Sequence, residues 1–207
     1  IIREDFHPIN IALGYEEGGA AAISVLTDKP FFKGSLEYLW KIASRVTVPC
    51  LRKDFIIDPY QIAEARAYGA DAVLLIATIC SAAQLSELQH AAHEYGIQAL
   101  TECYSEEDFN KVDFELTPVI GVNNRDLNTF EVDVHRGMEL LNRAPEGVIK
   151  VSESGLNSPE DLFTLHQSGI HAALIGESLM RKNTPGKALE DLRQSLRVLI
   201  EKSESHV

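Results

Sequence analysis

The sequence predicts an α/β fold in which helices cover a single all-parallel sheet, and three observations support this prediction. Seven short runs of β-branched or aliphatic residues recur along the chain, at intervals of roughly 20 to 30 residues, the length of one strand–helix unit. The runs are continuously apolar, as expected of strands covered by helices on one face and by a core on the other. Segments with helix start and stop signals lie between the runs.

The predicted strands follow one another along the whole chain. They span Ala22 to Leu26, Val48 to Leu51, Ala72 to Ile76, Gln98 to Thr101, Val119 to Val122, Val148 to Val151 and Ala172 to Ile175. Helix starts are predicted at Asp58-Pro59, Ser158-Pro159 and Thr184-Pro185, because a capping side chain followed by proline suits a first helical turn. Helix ends are predicted at glycines that can adopt a left-handed conformation, namely Gly18, Gly69, Gly96 and Gly169.

The first predicted helix, roughly Pro8 to Glu17, has no strand before it. A parallel barrel closes with eight strands, in about 250 residues. Two architectures therefore remain: an open doubly wound sheet, or a (β/α)8 TIM barrel whose first strand and N-terminal extension are missing from this chain. The residues at the strand ends favour the barrel, as a single domain covering residues 1–207.

The composition restricts the possible partners. With 45% hydrophobic and 24% charged residues, the 207 residues can bury one large core. A net charge of -12 would repel a phosphate backbone, which argues against a nucleic-acid partner. Three cysteines without a CxxC spacing predict neither a disulfide framework nor a zinc site, and fit a reducing cytoplasm. No apolar run approaches the ~20 residues that cross a membrane, and the first residues do not resemble a signal peptide.

The ends of the predicted strands are unusually polar. In a parallel barrel, the catalytic residues collect at the carboxyl ends of the strands. The polar ends read Thr27-Asp28, Arg52-Lys53-Asp54, Glu102, Asn123-Asn124-Arg125-Asp126, Ser152-Glu153-Ser154-Gly155 and Gly176-Glu177-Ser178. This pattern predicts an active site at one end of the barrel.

Lys53 and Glu102 are the strongest candidates for acid–base chemistry. A lysine partly desolvated at the mouth of a barrel can donate a proton, and the alternative is a rim lysine paired with Asp54 or Asp28. Glu102 is expected to point into the barrel, where burial and a nearby lysine would tune the pKa of a general base. The alternative for Glu102 is a structural ion pair with Lys53.

A phosphate site is predicted at the ends of the last two strands. Ser154-Gly155 and Gly176-Glu177 each precede a helix, where free N–H groups and a helix N-terminus favour an anion; simple glycine turns are the alternative. Arg125 could close over the same phosphate or bridge to Asp126 at the surface. The seven histidines show no HExxH spacing and none ends a predicted strand, so no metal is expected. No cofactor is expected either.

Several of these stretches, in order and at matching spacing, resemble the indole-3-glycerol phosphate synthase family. The resemblance runs from Ile2-Arg3-Glu4-Asp5-Phe6 to about Met180. The other matching segments are Ala22 to Asp28, Phe31-Phe32-Lys33-Gly34-Ser35, Leu51-Arg52-Lys53-Asp54-Phe55-Ile56, Gly121 to Leu127, Ser152-Glu153-Ser154-Gly155 and Leu174 to Met180. Several such motifs in the right order are far more specific than a lone glycine motif.

That family converts 1-(2-carboxyphenylamino)-1-deoxyribulose 5-phosphate to indole-3-glycerol phosphate in tryptophan biosynthesis, with loss of CO2 and water. The resemblance implies that Lys53 is the general acid acting on the ketone oxygen during ring closure. It implies that Glu102 is the acid/base partner in the dehydration. Asn123 would orient the substrate hydroxyl groups, and Glu153 and Ser154 would help to hold the anilino and sugar parts.

The resemblance also implies how the rest of the substrate is held. The phosphate would be bound by Arg125, Gly155, Gly176 and Glu177, the glycines and Glu177 acting mainly through backbone N–H groups. The anthranilate ring would lie between apolar walls formed by Phe32, Phe55, Leu74, Leu127 and Leu174, for which ordinary barrel core is the alternative. The family's first strand carries a glutamate, a lysine and a serine-proline loop, so part of the site is expected to precede Ile1. The family often has histidine at the position of Tyr104, a change that could alter pKa tuning.

Two other functions remain open at this point. A phosphosugar isomerase on the same scaffold, such as phosphoribosylanthranilate isomerase, needs a Cys/Asp pair, and Cys50 and Cys103 lie away from the expected first-strand position. The chain could also be an inactive phosphate-binding barrel fragment. The expected partners are a small-molecule phosphosugar and, among proteins, other enzymes of the tryptophan pathway, with the chain itself a monomer or weak homodimer.

Overall fold

The computed structural model describes residues 2–126 and 129–205, and one all-parallel sheet lies at its centre. Each strand pairs with the next strand of the chain, so the spatial order equals the sequence order. The strands are β1 Ile23–Leu26, β2 Cys50–Lys53, β3 Ala72–Ile76, β4 Gln98–Cys103, β5 Val119–Asn123, β6 Ile149–Glu153 and β7 Ala172–Leu174. All seven predicted strands are confirmed, and the sheet is parallel throughout.

Helices connect the strands and cover the outer face of the sheet. The described residues form α1 Pro8–Glu17, α2 Leu36–Ala43, α3 Pro59–Ala67, α4 Ala82–Glu94, α5 Glu106–Phe109, α6 Val134–Leu141, α7 Pro159–Gln167, α8 Glu177–Met180 and α9 Pro185–Glu204, with a 3-10 turn at Ala77–Ile79. The predicted bounds of the first helix are confirmed. In the described part of the chain, no helix combines the length and the apolar composition that a membrane span requires.

The helix starts follow the predicted capping chemistry at two of three sites. Asp58 and Ser158 each accept a hydrogen bond from the first turn of the helix that they begin, and both form capping boxes. Thr184 precedes α9 as predicted but makes no side-chain capping bond. These caps satisfy N–H groups that have no partner within the helix.

Three of the four predicted left-handed glycines have a positive φ, and one prediction was wrong. Gly69, Gly96 and Gly169 have φ values of +87°, +65° and +73°. Gly18 instead has φ -69°, and the left-handed turn falls on Gly19 at φ +84°. A Cβ atom on Gly18 would overlap the carbonyl oxygen of Gly186, so this glycine is needed for a close approach rather than for backbone conformation.

Two apolar layers lie on opposite faces of the sheet. The outer layer joins alternate strand residues, such as Val25, Val73 and Ile120, to the helices. The inner layer lies on the concave face and is built from Leu51, Leu74, Ile76, Leu100 and Val151. Strand residues alternate between the two layers, as the two-residue period of a strand requires.

Four of the seven strands, β2, β4, β5 and β6, extend further toward their carboxyl ends than the apolar runs predict. The β2 strand begins two residues later than expected and ends at Lys53, while β4 ends at Cys103 and β6 at Glu153. Backbone hydrogen bonds form the ladder whatever side chains the residues carry. The polar residues at the strand ends therefore lie within the sheet and point into the interior or the helical layer.

The first and last strands are the two edges of the described sheet. Outside the sheet, however, α1 packs against α9 as well as α2. Arg3 adds hydrogen bonds to the carbonyl oxygens of Lys182 and Asn183, at 2.7 and 2.8 Å. The helical layer thus brings the two ends of the described chain together, and the sheet inside it is curled, as in a TIM-like barrel.

Candidate active site

Strand alternation places four predicted site residues on the inner face of the curled sheet. Lys53 lies two residues after Leu51, Glu102 two after Leu100, and Glu153 two after Val151, and these three leucine and valine side chains form the inner apolar layer. Asn123 is the register partner of Glu153 on the neighbouring strand. All four side chains thus rise from the same face, at the carboxyl ends of β2, β4, β5 and β6.

Glu102 and Glu153 form a buried pair of carboxyl groups. Their residues are 4% and 2% exposed, and the two carboxyl groups lie close enough to interact directly. Burial raises the pKa of Glu153 well above its ordinary value, the neighbouring Glu102 carboxylate raises it further, and the Lys53 ammonium opposes the rise. Two acid groups in contact and out of water are suited to hold one proton between them.

Lys53 faces this pair and has no salt bridge within 4 Å in the part of the chain that the structure describes. Its Nζ lies 5.0 Å from the centre of the Phe32 ring. Neither Asp28 nor Asp54, the two suggested rim partners, forms a salt bridge with Lys53 within the described residues. Asp28 accepts hydrogen bonds from the backbone N–H groups of Phe31 and Phe32. Asp54 is held by Arg52 at 3.0 Å. The ammonium group of Lys53 is therefore available to a ligand in the interior.

Two of the predicted apolar wall residues form one side of the site. Phe32 and Phe55 stack with their ring centres 5.2 Å apart, and the exposed Phe31 packs edge-on against Phe55 at 5.5 Å. Leu74 is fully buried and Leu174 partly buried in the inner apolar layer below. Leu127, also predicted for this wall, lies outside the described residues.

The loop after β6 begins with a tight turn through two left-handed residues. Ser154 and Gly155 are both left-handed, with φ values of +69° and +75°. A Cβ atom on Gly155 would also overlap the side chain of Val132. The Asn124 amide donates to the Ser152 hydroxyl and the Ser154 carbonyl oxygen, at 2.9 and 3.0 Å, and so fixes the turn.

Arg125 and Glu177 meet across the same end of the sheet. The Arg125 guanidinium lies 3.1 Å from the Glu177 carboxylate. The hydrogen bond from Arg181 lowers the pKa of Glu177, desolvation partly opposes this effect, and the Arg125 charge lowers the pKa further. Gly176 is exposed and N-caps α8, where Glu177 is the first residue.

Tyr104 ties the loop after β5 to the loop after β4. Its hydroxyl donates to the Asp126 carboxylate at 2.8 Å, and this hydrogen bond raises the pKa of Tyr104. The Arg136 guanidinium lies over the Tyr104 ring at 4.2 Å and also binds the Tyr104 and Asn123 carbonyl oxygens. The residue at the family's histidine position thus braces the loop that carries Arg125.

Three structural contributions were missed by sequence reasoning. Arg52 points outward, opposite to Lys53, and binds Asp54 and Glu64 beneath the site. Asn124 is buried and supports the turn at Ser154. The lone glycine inside β5, Gly121, was a detectable signal, because a glycine within an apolar strand marks a close approach.

No described residues are arranged as a metal centre. Across residues 2–126 and 129–205, no group of three His, Cys, Asp or Glu side chains could hold a metal ion. The three cysteines are buried as free thiols, and burial raises the pKa of Cys50 to about 11. None of them is poised as a nucleophile.

A curled parallel sheet with acid–base side chains at its carboxyl ends defines the chain as a TIM-barrel-like α/β protein with an enzyme-type site. The chain belongs to the indole-3-glycerol phosphate synthase family, whose model matches residues 1–192. A curated relative of that name from Salinibacter ruber is 54% identical over 194 residues, covering 93% of this chain and 72% of the relative. Another, from Rhodopirellula baltica, is 52% identical over 182 residues, covering 88% and 70%.

Solved structures of low sequence identity share the fold. A thiamine phosphate pyrophosphorylase from Pyrococcus furiosus has a TM-score of 0.70 at 16% identity, covering 91% of this chain and 89% of its own. A chain of a tryptophan synthase complex from the same organism has a TM-score of 0.65 at 16% identity, covering 93% and 91%. These matches bear on the fold alone.

Proposed function

We propose that this chain carries the acid–base site of an indole-3-glycerol phosphate synthase. The reaction is ring closure of 1-(2-carboxyphenylamino)-1-deoxyribulose 5-phosphate, followed by loss of CO2 and water. The observation that supports it best is the inner face on which the Lys53 ammonium faces the buried carboxyl pair Glu102 and Glu153. A cation facing a proton-holding pair suits a reaction that needs one acid for the ketone oxygen and one acid/base for dehydration.

The assignment of roles follows from position. Lys53 protonates the substrate's ketone oxygen as the ring closes, and its Nζ, 5.0 Å from the centre of the Phe32 ring, supports a site for the anthranilate ring beside it. Glu102 exchanges protons during dehydration. Asn123, at the end of β5, orients the substrate hydroxyl groups, while Glu153 and Ser154 hold the anilino and sugar parts.

The substrate phosphate binds between the loops after β6 and β7. Gly155, Gly176 and Glu177 offer backbone N–H groups, and Arg125 supplies the charge. Since Arg125 is now bound to the Glu177 carboxylate, the phosphate must replace that carboxylate. Phe32 and Phe55 form the side wall of the ring pocket, with Leu74 and Leu174 as its floor.

We also infer that residues 1–207 form one barrel domain whose remaining strand position lies between β1 and β7. Each of these strands has a strand neighbour on one side only within the described sheet. The contact between α1 and α9 already spans the gap on the outside. A strand filling this position would precede α1 and add the family's glutamate, lysine and serine-proline loop to the site.

The test is an indole fluorescence assay with the anilinodeoxyribulose phosphate as substrate. We expect turnover from a fusion in which the strand-bearing N-terminal segment of the Salinibacter ruber relative precedes this chain, and much weaker turnover from the chain alone. A folded fusion without turnover would contradict the proposal. Turnover of phosphoribosylanthranilate instead would indicate the isomerase, and phosphate binding without either reaction would indicate an inactive fragment.

A further inference from the structure

One glycine lies in the middle of the inner face, between the strands that carry the two carboxyl groups. Gly121 pairs with Glu102 on β4 and with Val151 on β6. It is not among the residues with positive φ, so its backbone conformation is open to any residue. The missing side chain, rather than the backbone, must explain a glycine at this position.

The space that a side chain would fill at position 121 is occupied by Glu153. A Cβ atom added to Gly121 would overlap Glu153 Oε1 and lie 3.1 Å from Glu153 Cδ. It would also lie 3.2 Å from Leu100 Cδ1. The Glu153 carboxyl therefore leans across β5, directly over Gly121.

This position is what allows the two acids to meet. Neighbouring strands are roughly 4.8 Å apart, so β4 and β6 are roughly 10 Å apart across β5. A glutamate on β6 reaches one on β4 only by crossing the strand between them. Any side chain at position 121 would stand in that path.

The burial of the pair is consistent with a shared proton. Within the described structure, Glu102 Oε2 and Glu153 Oε1 are buried without a hydrogen-bond partner. Two ionised carboxylates in contact and without donors would be strongly unfavourable. One proton between them, with Lys53 nearby, removes most of that cost.

We propose that Gly121 is a positioning residue that admits the Glu153 carboxyl across β5 so that Glu153 and Glu102 share one proton opposite Lys53. The shared proton does not depend on the reaction, whereas its use in catalysis rests on the proposed function. The pair can give or take one proton without leaving two buried charges. Gly121 acts only through Glu153 and does not contact the substrate.

The first test measures the coupling between the two acids by NMR titration of carbon-13-labelled glutamate carboxyls in the 207-residue chain. With Gly121 present, Glu102→Gln is expected to lower the Glu153 titration midpoint by about one pH unit or more, because a like charge is removed. In the Gly121→Ala background, the same substitution is expected to shift it by less than half as much. An equal shift in both backgrounds, or none with Gly121 present, overturns the proposal.

A stability test covers the case in which Gly121→Ala folds poorly. The overlapping atom is the end of a flexible side chain, so alanine should displace the carboxyl at modest cost. Glu153→Asp withdraws the carboxyl by one methylene and should restore most of the stability lost in Gly121→Ala. If it restores none, the obstruction is not Glu153 and the proposal fails.

Kinetics of the fused, active protein test the catalytic consequence. Gly121→Ala is expected to lower kcat by about 10²-fold with little change in KM, and to change the pH profile of kcat. The control is Gly14→Ala on α1, where an added Cβ meets only ordinary contacts at 3.7 Å. Unchanged kcat in Gly121→Ala overturns the positioning role; a fusion without activity, but with the NMR coupling intact, contradicts the proposed function alone.

Discussion

At the scale of single residues, alternation along β2 places two neighbouring charges on opposite faces of the sheet. Arg52 and Lys53 are neighbours in sequence, yet Arg52 is buried in an ion-pair network with Asp54 and Glu64 while Lys53 faces the interior. A buried arginine with two carboxylate partners contributes to structure. A lysine facing a proton-holding pair can exchange protons with a ligand.

Replacement of Lys53 should separate chemistry from folding. In the fused protein, Lys53→Ala is expected to lower kcat by about 10²- to 10⁴-fold, the usual contribution of a general acid, with little change in melting temperature. Steady-state indole fluorescence measures the first and thermal unfolding the second. Lys41→Ala, on the outer helix α2, is the matched control, and near-normal kcat in Lys53→Ala would remove Lys53 from the mechanism.

The raised pKa of Glu153 predicts how stability depends on pH. A folded-state pKa above the unfolded one means that the folded chain binds the extra proton. The free energy of unfolding should therefore decrease as pH rises from the ordinary glutamate range through the raised pKa. Urea unfolding at a series of pH values measures this slope.

Glu153→Gln removes the titrating group while keeping its shape. We expect the decrease in stability over that pH window to become smaller in this variant. Glu146→Gln, at an exposed loop position, changes the net charge equally and should leave the slope as it was. Identical slopes in the parent chain and in Glu153→Gln would show that Glu153 is not protonated in the folded state.

At the scale of elements, α1 and α9 approach each other through glycine. A Cβ atom on Gly186 would overlap the carbonyl group of Gly14, and one on Gly18 would overlap the carbonyl oxygen of Gly186. Backbone atoms cannot move aside as a side chain can. The two helices therefore touch main chain to main chain.

Alanine substitution on the two sides of this contact should have opposite effects. Gly186→Ala is expected to reduce the free energy of unfolding by about 1–3 kcal/mol, because it forces the helices apart. Gly14→Ala has room for its Cβ and should be neutral or stabilise by about 0.4–1 kcal/mol, since it restricts the unfolded chain. Urea unfolding of both variants measures the difference, and equal effects would contradict the close contact.

The sequence was sufficient for the existence and order of the seven strands and for the first helix, because each depends on local pattern. It was insufficient where distant segments meet. Arg125 pairs with Glu177, far along the chain, and Gly18 is required by its close contact with Gly186. The sequence placed the ends of β2 and β6 too early. The polar residues Lys53 and Glu153 end these strands, so each apolar run stops before the hydrogen-bonded ladder does.

At the scale of the whole molecule, helices α1 and α9 are in contact, whereas strands β1 and β7 are the two edges of the described sheet. On β1, Ile23 and Val25 are buried in the outer layer. Ser24 and Leu26 alternate with them and are exposed, Leu26 to 40%. An apolar inner face next to a sheet edge is a site for pairing with another strand. The same edge is where the proposed eighth strand would lie.

This edge predicts the association behaviour of the 207-residue chain. The chain alone is expected to self-associate as its concentration rises, while the fusion that supplies the strand should sediment as a monomer. Leu26→Lys should weaken the self-association, because a charged side chain at a strand edge disfavours pairing. Analytical ultracentrifugation measures all three, and a chain that stays monomeric at every concentration would count against an accessible edge.

The glycine contact between α1 and α9, formed by Gly14, Gly18 and Gly186, also affects how the fold tolerates substitutions in its helices. Where two helices meet through carbonyl groups and Cα atoms, the distance between them does not depend on side-chain volume. Substitutions in the other helices can repack the outer layer without altering the distance between α1 and α9. Substitutions in the other helices should therefore leave the distance between β1 and β7 unchanged. The fit of a strand placed between them should be unchanged as well.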